Sequence, residues 1–416
     1  MTEPTAGGPR FRPRPTPRQV ATMLTPVTAA VGRVLLERGV DVRRARLMDA
    51  ARDRVQQRRR PSRPRMRALI ASGGGRLRWR DVPAPPPPGP DAAVVRPIAV
   101  ATCDLDRAVA LGATPFPLPL NIGHECVAEV LAVGERVTTV RPGQRVAVPF
   151  QISCGDCAPC RAGATSNCAS VPPISMYGFG VGGGHWGGAL ADQLAVPFAD
   201  AMLVPLPDGV DPVAAASLSD TICDGYRHIG PYLPALLERD PDTEVLIIAG
   251  LTPRTIFSGS VPLYAGQVAL ALGARRVRLV DSRAHVRAAA SRLGIQPLRP
   301  AELRRTPTAA LVVAATATSR GLWAALSKTA SDGMCSSVGG LHRVARIPAG
   351  LLYGRNVSLR VARTDARAVM PTALALIADG RFRPEQVIST LGSLDDAPRL
   401  LAAHYRTGDI KTILSA

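Results

Sequence analysis

Four cysteines, Cys154, Cys157, Cys160 and Cys168, carry the clearest chemistry in this sequence. The first three stand in Cys-Gly-Asp-Cys-Ala-Pro-Cys, and seven residues separate Cys160 from Cys168. This spacing lets one short loop fold three thiolates around an ion while the fourth closes the tetrahedron, leaving no position for water. That is the pattern of a structural zinc rather than a catalytic one. Two local disulfides or chance clustering are the competing readings. Two-residue gaps suit metal ligation better, and the composition is not that of a small secreted scaffold.

A second set is available in Cys103, the pair His124-Glu125, and Asp220. One thiolate, one imidazole and one carboxylate leave a fourth coordination position open. An open zinc site polarises a bound oxygen and lowers the pKa of bound water or alcohol from ~16 toward ~7. Alone, a histidine such as His124 is more often packed or solvated, and a cysteine such as Cys103 more often a small buried apolar residue. Order along the chain changes that weight. Gly123-His124-Glu125 is followed by Val133-Gly134, by Pro142-Gly143-Gln144-Arg145-Val146, and then by the four-cysteine lobe.

In that order the motifs resemble those of the zinc-dependent medium-chain alcohol dehydrogenases. The likeness runs from about Met66 to the C-terminus and is most specific between Cys103 and Asp220. It implies that Cys103, His124 and Asp220 are catalytic zinc ligands, that Glu125 is the alternate or neighbouring carboxylate, and that Asp106 orients the ligating histidine, which needs a partner for its other ring nitrogen. It also implies two zinc ions per chain, a nicotinamide cofactor, an alcohol, aldehyde or ketone substrate, and a homo-dimer or homo-tetramer. One departure bears on mechanism. The family usually carries Ser or Thr two residues after the first ligand to pass the substrate proton outward, and here that residue is Leu105. Asp104, Thr221 or an ordered water must substitute, or alcohol oxidation is impaired.

The dinucleotide signal is weaker. Such folds follow their first strand with Gly-x-Gly-x-x-Gly, so that backbone and helix N-terminal N–H groups approach the pyrophosphate. This chain reads Gly250-Leu251-Thr252-Pro253-Arg254-Thr255-Ile256-Phe257-Ser258-Gly259-Ser260-Val261-Pro262, longer and bulkier, with a proline where a glycine is expected. Gly259 and Ser260, aided by Arg254, are the candidates for holding phosphate in a modified way. Asp281 ends the second strand twenty-two residues after Gly259, where an acid accepts hydrogen bonds from an adenosine ribose. That favours NAD over NADP. Ser282 and Arg283 follow at once and are placed to hold a 2′-phosphate, and an Asp that caps the next helix is the plain alternative.

The elements that must position these residues fall into two patterns. From Met66 to about Thr221, short apolar runs at Ala93 to Ile98, Cys126 to Val133, Arg145 to Pro149 and Gly188 to Val196 alternate with Gly and Pro turns, which predicts a β-rich domain. Pro85 to Pro90 is a rigid connector inside it. After Asp220, apolar runs at Val245–Ala249, Val277–Asp281, Ala310–Ala314 and Cys335–Val338 alternate with helical patterns, among them Gly259 to Gly273, predicting a doubly wound parallel sheet. The fold class expected is therefore α/β: a GroES-like β-rich catalytic domain, residues 66–221 and 365–416, plus a Rossmann-like dinucleotide-binding domain, 222–364. The return of the C-terminal part, from a helix at Asp365 to Asp379, is what the resemblance implies. His185, in the run Gly182 to Gly188, is a candidate lining residue.

The chain has 416 residues, 46% of them apolar, enough for two or three domains with sizeable cores. It lacks about eighteen uninterrupted apolar residues, so no membrane span is expected. Reduced cysteines at metal spacing favour the cytoplasm. The net charge of +19 raises the question of nucleic acid. Residues 1–65 hold sixteen Arg, no Lys and five acids, so more than half of that charge lies in an Arg/Pro-rich extension outside the enzyme-like part. Lys328 and Lys411 are the only lysines among 51 basic residues, which marks a chain-wide arginine bias, and no recognition motif accompanies it. No specific nucleic-acid partner is expected. The extension reads as a possible helix from Pro17 to Gln57 and an Arg/Pro linker. Leu105 and the unusual Gly250 to Pro262 loop also leave room for a catalytically degenerate, zinc-stabilised relative that binds a ligand or partner.

Overall fold

A computed structural model describes residues 64–112, 116, 118–179, 186–253, 257–316, 318–338, 345–407 and 409–416. The N-terminal extension up to residue 63, with its expected helix, lies outside the described residues, as do His185 and Arg254.

The first domain is built on an antiparallel sheet whose centre is β3 (Ala93–Ala101) and β5 (Glu125–Val133). Val95, Ala99, Val100, Val127, Ala128 and Val130 are all buried there, as β-branched and small apolar residues on a packed pleat should be. A small sheet of β1 (Arg65–Ala71), β2 (Leu77–Pro83) and β4 (Leu120–Asn121) adjoins it. β6 (Arg145–Val148) pairs with β5, β8 (Val204–Pro205) extends that edge, and β7 (Leu194–Val196) pairs with β3.

The run Gly188 to Val196 is a strand only at its end. Its beginning is diverted because the amides of Ala189 and Leu190 are taken by the carbonyls of Gly123 and Ile122, at 2.7 and 3.2 Å. Gly123 adopts a φ of +93°, and a side chain there would meet the Leu190 amide nitrogen at 2.8 Å. Only glycine fits that close approach.

The second domain is a six-stranded parallel sheet in the order β11-β10-β9-β12-β13-β14, from β9 (Glu244–Gly250), β10 (Arg276–Asp281), β11 (Gln296–Leu298), β12 (Ala309–Ala314), β13 (Thr329–Ser337) and β14 (Ser358–Val361). This is the doubly wound order, with the chain reversing its direction of growth between β9 and β12. Alternation along β9 shows why both faces are covered. Val245, Ile247 and Ala249 join the core shared with the first domain and the helix Ser260–Ala271, whereas Leu246 and Ile248 join a second core with Val312, Leu322 and Leu326. A strand buried on both faces reads as a continuous apolar run.

The chain then returns. The helix Ala366–Ala378 leads to β15 (Thr390–Ser393) and β16 (Thr412–Ser415), and β16 pairs antiparallel with β3, Ile413 opposite Ala101. Among the described residues no helix is long and apolar enough to cross a membrane.

Candidate functional site

Strand register assembles the site. Ala101 at the end of β3 lies opposite Glu125 at the start of β5, so the residues just beyond, Cys103 and His124, emerge side by side. Asp220 precedes the helix Thr221–Arg227, and Ser219 anchors that segment to β5 by donating to Cys126 O at 3.0 Å and accepting from Cys126 N at 2.9 Å. One ligand atom each from Cys103, His124, Glu125 and Asp220 lies within 4.8 Å of the others. His124 Nε2 is 3.5 Å from Asp220 Oδ2, and Cys103 Sγ is 3.8 Å from the same oxygen.

Asp106 lies against both Cys103 and His124. Its Oδ1 lies 3.1 Å from His124 Nδ1, and its Oδ2 accepts from the Cys103 amide at 3.0 Å. One carboxylate thus fixes both neighbours and leaves His124 Nε2 turned into the cluster. That atom is buried and has no hydrogen-bond partner. A buried ring nitrogen without a partner costs free energy unless something fills the position. A soft thiolate, an imidazole and a carboxylate around it are a donor set that suits zinc. Burial pushes the Cys103 thiol up to about 12, the direction expected of a thiol that ionises only when a cation compensates it. Burial also opposes protonation of His124, but Asp106, with Asp220 and Cys103, outweighs it and raises its pKa.

Glu125 also meets a residue that sequence reasoning missed. Lys411 Nζ lies 3.0 and 2.9 Å from the two Glu125 carboxylate oxygens, donates to Thr221 Oγ1 at 2.8 Å, and also reaches Thr102 O. Thr221 in turn donates to Glu125 Oε2 at 2.9 Å. Burial lifts Glu125 to about 7 against the pull of Lys411. β16 delivers Lys411 here from the far end of the chain. The available signal was compositional, since Lys411 is one of two lysines in a chain of arginines.

The four-cysteine lobe is a separate site. Its sulfurs lie within 4.8 Å of one another, and all four residues are free thiols. Backbone N–H groups point at the sulfurs: Ala169 N to Cys157 at 3.3 Å, Cys157 N to Cys154 and Cys154 N to Cys168 each at 3.4 Å. The Ala169 and Cys160 amides draw Cys157 down to about 6, which favours the thiolate a metal needs. The lobe docks on the returning chain, where Ser166 N donates to Asp365 Oδ1 at 2.8 Å.

The candidate cofactor residues also gather. Gly250 ends β9 and pairs with Asp281 at the end of β10, and a Cβ on Gly250 would lie 2.9 Å from the Asp281 carboxylate. Gly259 turns at a φ of +107° into the helix that Ser260 begins. Asp281 stands where the sequence placed it, but its carboxylate is enclosed and faces Arg283 rather than an open ribose position. Arg283 holds it through Nε at 3.0 Å and Nη2 at 2.7 Å, and through its own amide at 2.8 Å. A buried carboxylate requires such pairing, and an arginine two residues along the turn is within reach. Asp281 does not cap the next helix, whose N-cap is Arg283 without a side-chain bond.

The comparisons with known proteins agree with this geometry. Residues 89–208 match the alcohol dehydrogenase GroES-like domain family. A protein of Mycobacterium tuberculosis named a probable zinc-binding alcohol dehydrogenase is 30% identical over 354 residues, covering 83% of this chain and 87% of that one. The glutathione-independent formaldehyde dehydrogenase of Pseudomonas aeruginosa is 30% identical over 174 residues, 39% of this chain and 43% of its own length. Among solved structures, the alcohol dehydrogenase TADH of Thermus sp. ATN1 superposes with a TM-score of 0.75 at 28% identity, over 84% of this chain and 99% of that one. An NAD-dependent alcohol dehydrogenase does so with a TM-score of 0.67 at 25% identity, over 84% and 100%. A β-rich domain that carries a thiolate, imidazole and carboxylate at one end, a four-cysteine lobe, a six-stranded parallel sheet, and likeness over most of both chains together place this protein in the zinc-dependent medium-chain alcohol dehydrogenase family.

Proposed function

We propose that this protein is a zinc-dependent oxidoreductase that transfers a hydride between an alcohol and its aldehyde or ketone and a nicotinamide cofactor, NAD in preference to NADP. The observation that carries the reading is His124 Nε2: buried, unpartnered, and turned by Asp106 into a cluster with Cys103 and Asp220. These three residues would hold one zinc, and Cys154, Cys157, Cys160 and Cys168 a second. When bound, the first zinc supplies Lewis acidity toward the substrate oxygen and the nicotinamide supplies the hydride donor or acceptor.

The chain's own residues do the positioning. Asp106 fixes the imidazole tautomer, with Nδ1 as donor and Nε2 free to ligate. The Lys411–Glu125 pair neutralises a carboxylate beside the ligand set. Leu105, partly buried against the core, offers no proton path. Thr221, whose hydroxyl joins Glu125 and Lys411 beside the ligand set, is the group we assign to replace the missing hydroxyl. The parallel-sheet domain supports the nicotinamide reading by its strand order, and the named activities of the relatives support the reaction class.

The test is to titrate zinc-loaded protein with NADH and NADPH, following nicotinamide fluorescence, and then to screen alcohols and aldehydes. Saturable NADH binding and turnover lost in His124→Ala are expected. Binding of neither cofactor would overturn the reading.

A further inference from the structure

The two domains touch at a point that the sequence did not flag. Asp104 follows the candidate ligand Cys103 and opens the helix Asp104–Ala110, and its carboxylate crosses to the loop after β9. Oδ1 accepts from the Ser258 amide at 2.8 Å and Oδ2 from the Ser258 hydroxyl at 3.2 Å. Ser258 and Gly259 are the last residues before the twelve-residue helix Ser260–Ala271, where a fold of this strand order offers backbone N–H groups to a dinucleotide diphosphate. In this chain an internal carboxylate already occupies part of that place. Arg283, beside this loop, is also engaged: besides clamping Asp281, its guanidinium donates from Nη1 to Ser258 O at 3.1 Å and to Phe257 O.

We propose that Asp104 is the specificity-determining residue of the dinucleotide site, an intramolecular anion that a diphosphate must displace from Ser258. This inference rests on the nicotinamide reading above. Two consequences follow from charge and connectivity. A ligand with a diphosphate meets a like charge at the loop, so its affinity is reduced relative to a neutral ligand of the same shape. Displacement also releases the first turn of the Asp104–Ala110 helix, which carries Asp106 and adjoins Cys103, so cofactor binding is felt at the residues that orient His124.

The experiment uses full-length, zinc-loaded protein and its Asp104→Asn variant, which removes the charge and keeps an acceptor for the Ser258 amide. Each is titrated calorimetrically with ADP, with adenosine, and with NADH at one salt concentration. Asp104→Asn is expected to bind ADP at least tenfold tighter while its adenosine affinity changes less than twofold. Equal or weaker ADP binding overturns the proposal. So does an equal gain for adenosine, because a loosened loop rather than removed charge would then be the cause. Asp104→Ser repeats the measurement should Asp104→Asn not fold. The two readings separate cleanly: ADP behaving as expected with no NADH binding by either protein sinks the nicotinamide assignment and keeps the role of Asp104, whereas NADH binding unchanged by the substitution, with ADP unchanged too, does the reverse.

Discussion

Lys411 and Glu125 form an ion pair with no exposed side-chain surface, 286 residues apart in sequence and directly behind the candidate metal ligands. Removing one member leaves the other charge buried without compensation, which typically costs several kcal/mol. Lys411→Met should therefore destabilise the protein by about 3 kcal/mol or more. The double variant Glu125→Gln/Lys411→Met should recover much of that loss, because neither charge remains. A double-mutant cycle by chemical denaturation measures the coupling, and additive losses would show that the pair does not act as a unit.

Asp106 holds two residues at once, and its replacement separates orientation from ligation. Asp106→Asn keeps an oxygen for one of its two partners and loses the charge that supports the imidazole. Zinc affinity at the Cys103, His124 and Asp220 site should fall roughly 10- to 100-fold, with the fold retained, as measured by competition against a chromophoric chelator. Unchanged affinity would mean that packing against Phe179 and Phe150, not Asp106, sets the ring.

The four-cysteine lobe answers to a different assay. Structural zinc contributes folding free energy on the order of 10 kcal/mol in small zinc domains. Cys157→Ser should drop the metal content from about two to about one per chain and lower the melting temperature, since the lobe also holds the returning chain at Asp365. A variant as stable as the parent would remove the structural role.

Much of this arrangement could be read from sequence because it rests on local spacing. The two-residue gaps of the cysteines, the Gly-His-Glu step and the apolar runs of β9 and β12 each carry their own signal. What could not be read depends on partners far along the chain. Lys411 reaches Glu125 only because β16 pairs with β3. Asp281 was placed correctly at the end of β10, yet whether it meets a ribose or Arg283 is decided by a side-chain rotamer that no spacing encodes. Likewise Asp104 and Ser258 are ordinary polar residues until the two domains meet. The strand expected from Gly188 failed at its start for a related reason, since the backbone there is claimed by Ile122 and Gly123.

His228 gives a prediction about pH. Its ring is buried, with Nδ1 2.7 Å from Ser336 Oγ and Nε2 without a hydrogen-bond partner, 3.9 Å from Asp224 Oδ1. Burial, aided by Arg227, pushes it from the ordinary 6.5 down to about 3. Between those values the unfolded chain binds a proton that the folded chain refuses. Stability from this group is therefore complete above pH 6.5 and declines as the pH falls toward 3. Each pH unit inside that window costs up to about 1.4 kcal/mol. Wild type should lose roughly 2 kcal/mol more than His228→Gln between pH 7 and pH 5, in denaturant titrations with zinc in excess. The difference between the two proteins cancels the acid sensitivity of the metal ligands, which both share. Parallel losses in the two would show that His228 accepts its proton in the folded state, which the Asp224 carboxylate nearby would then have to stabilise.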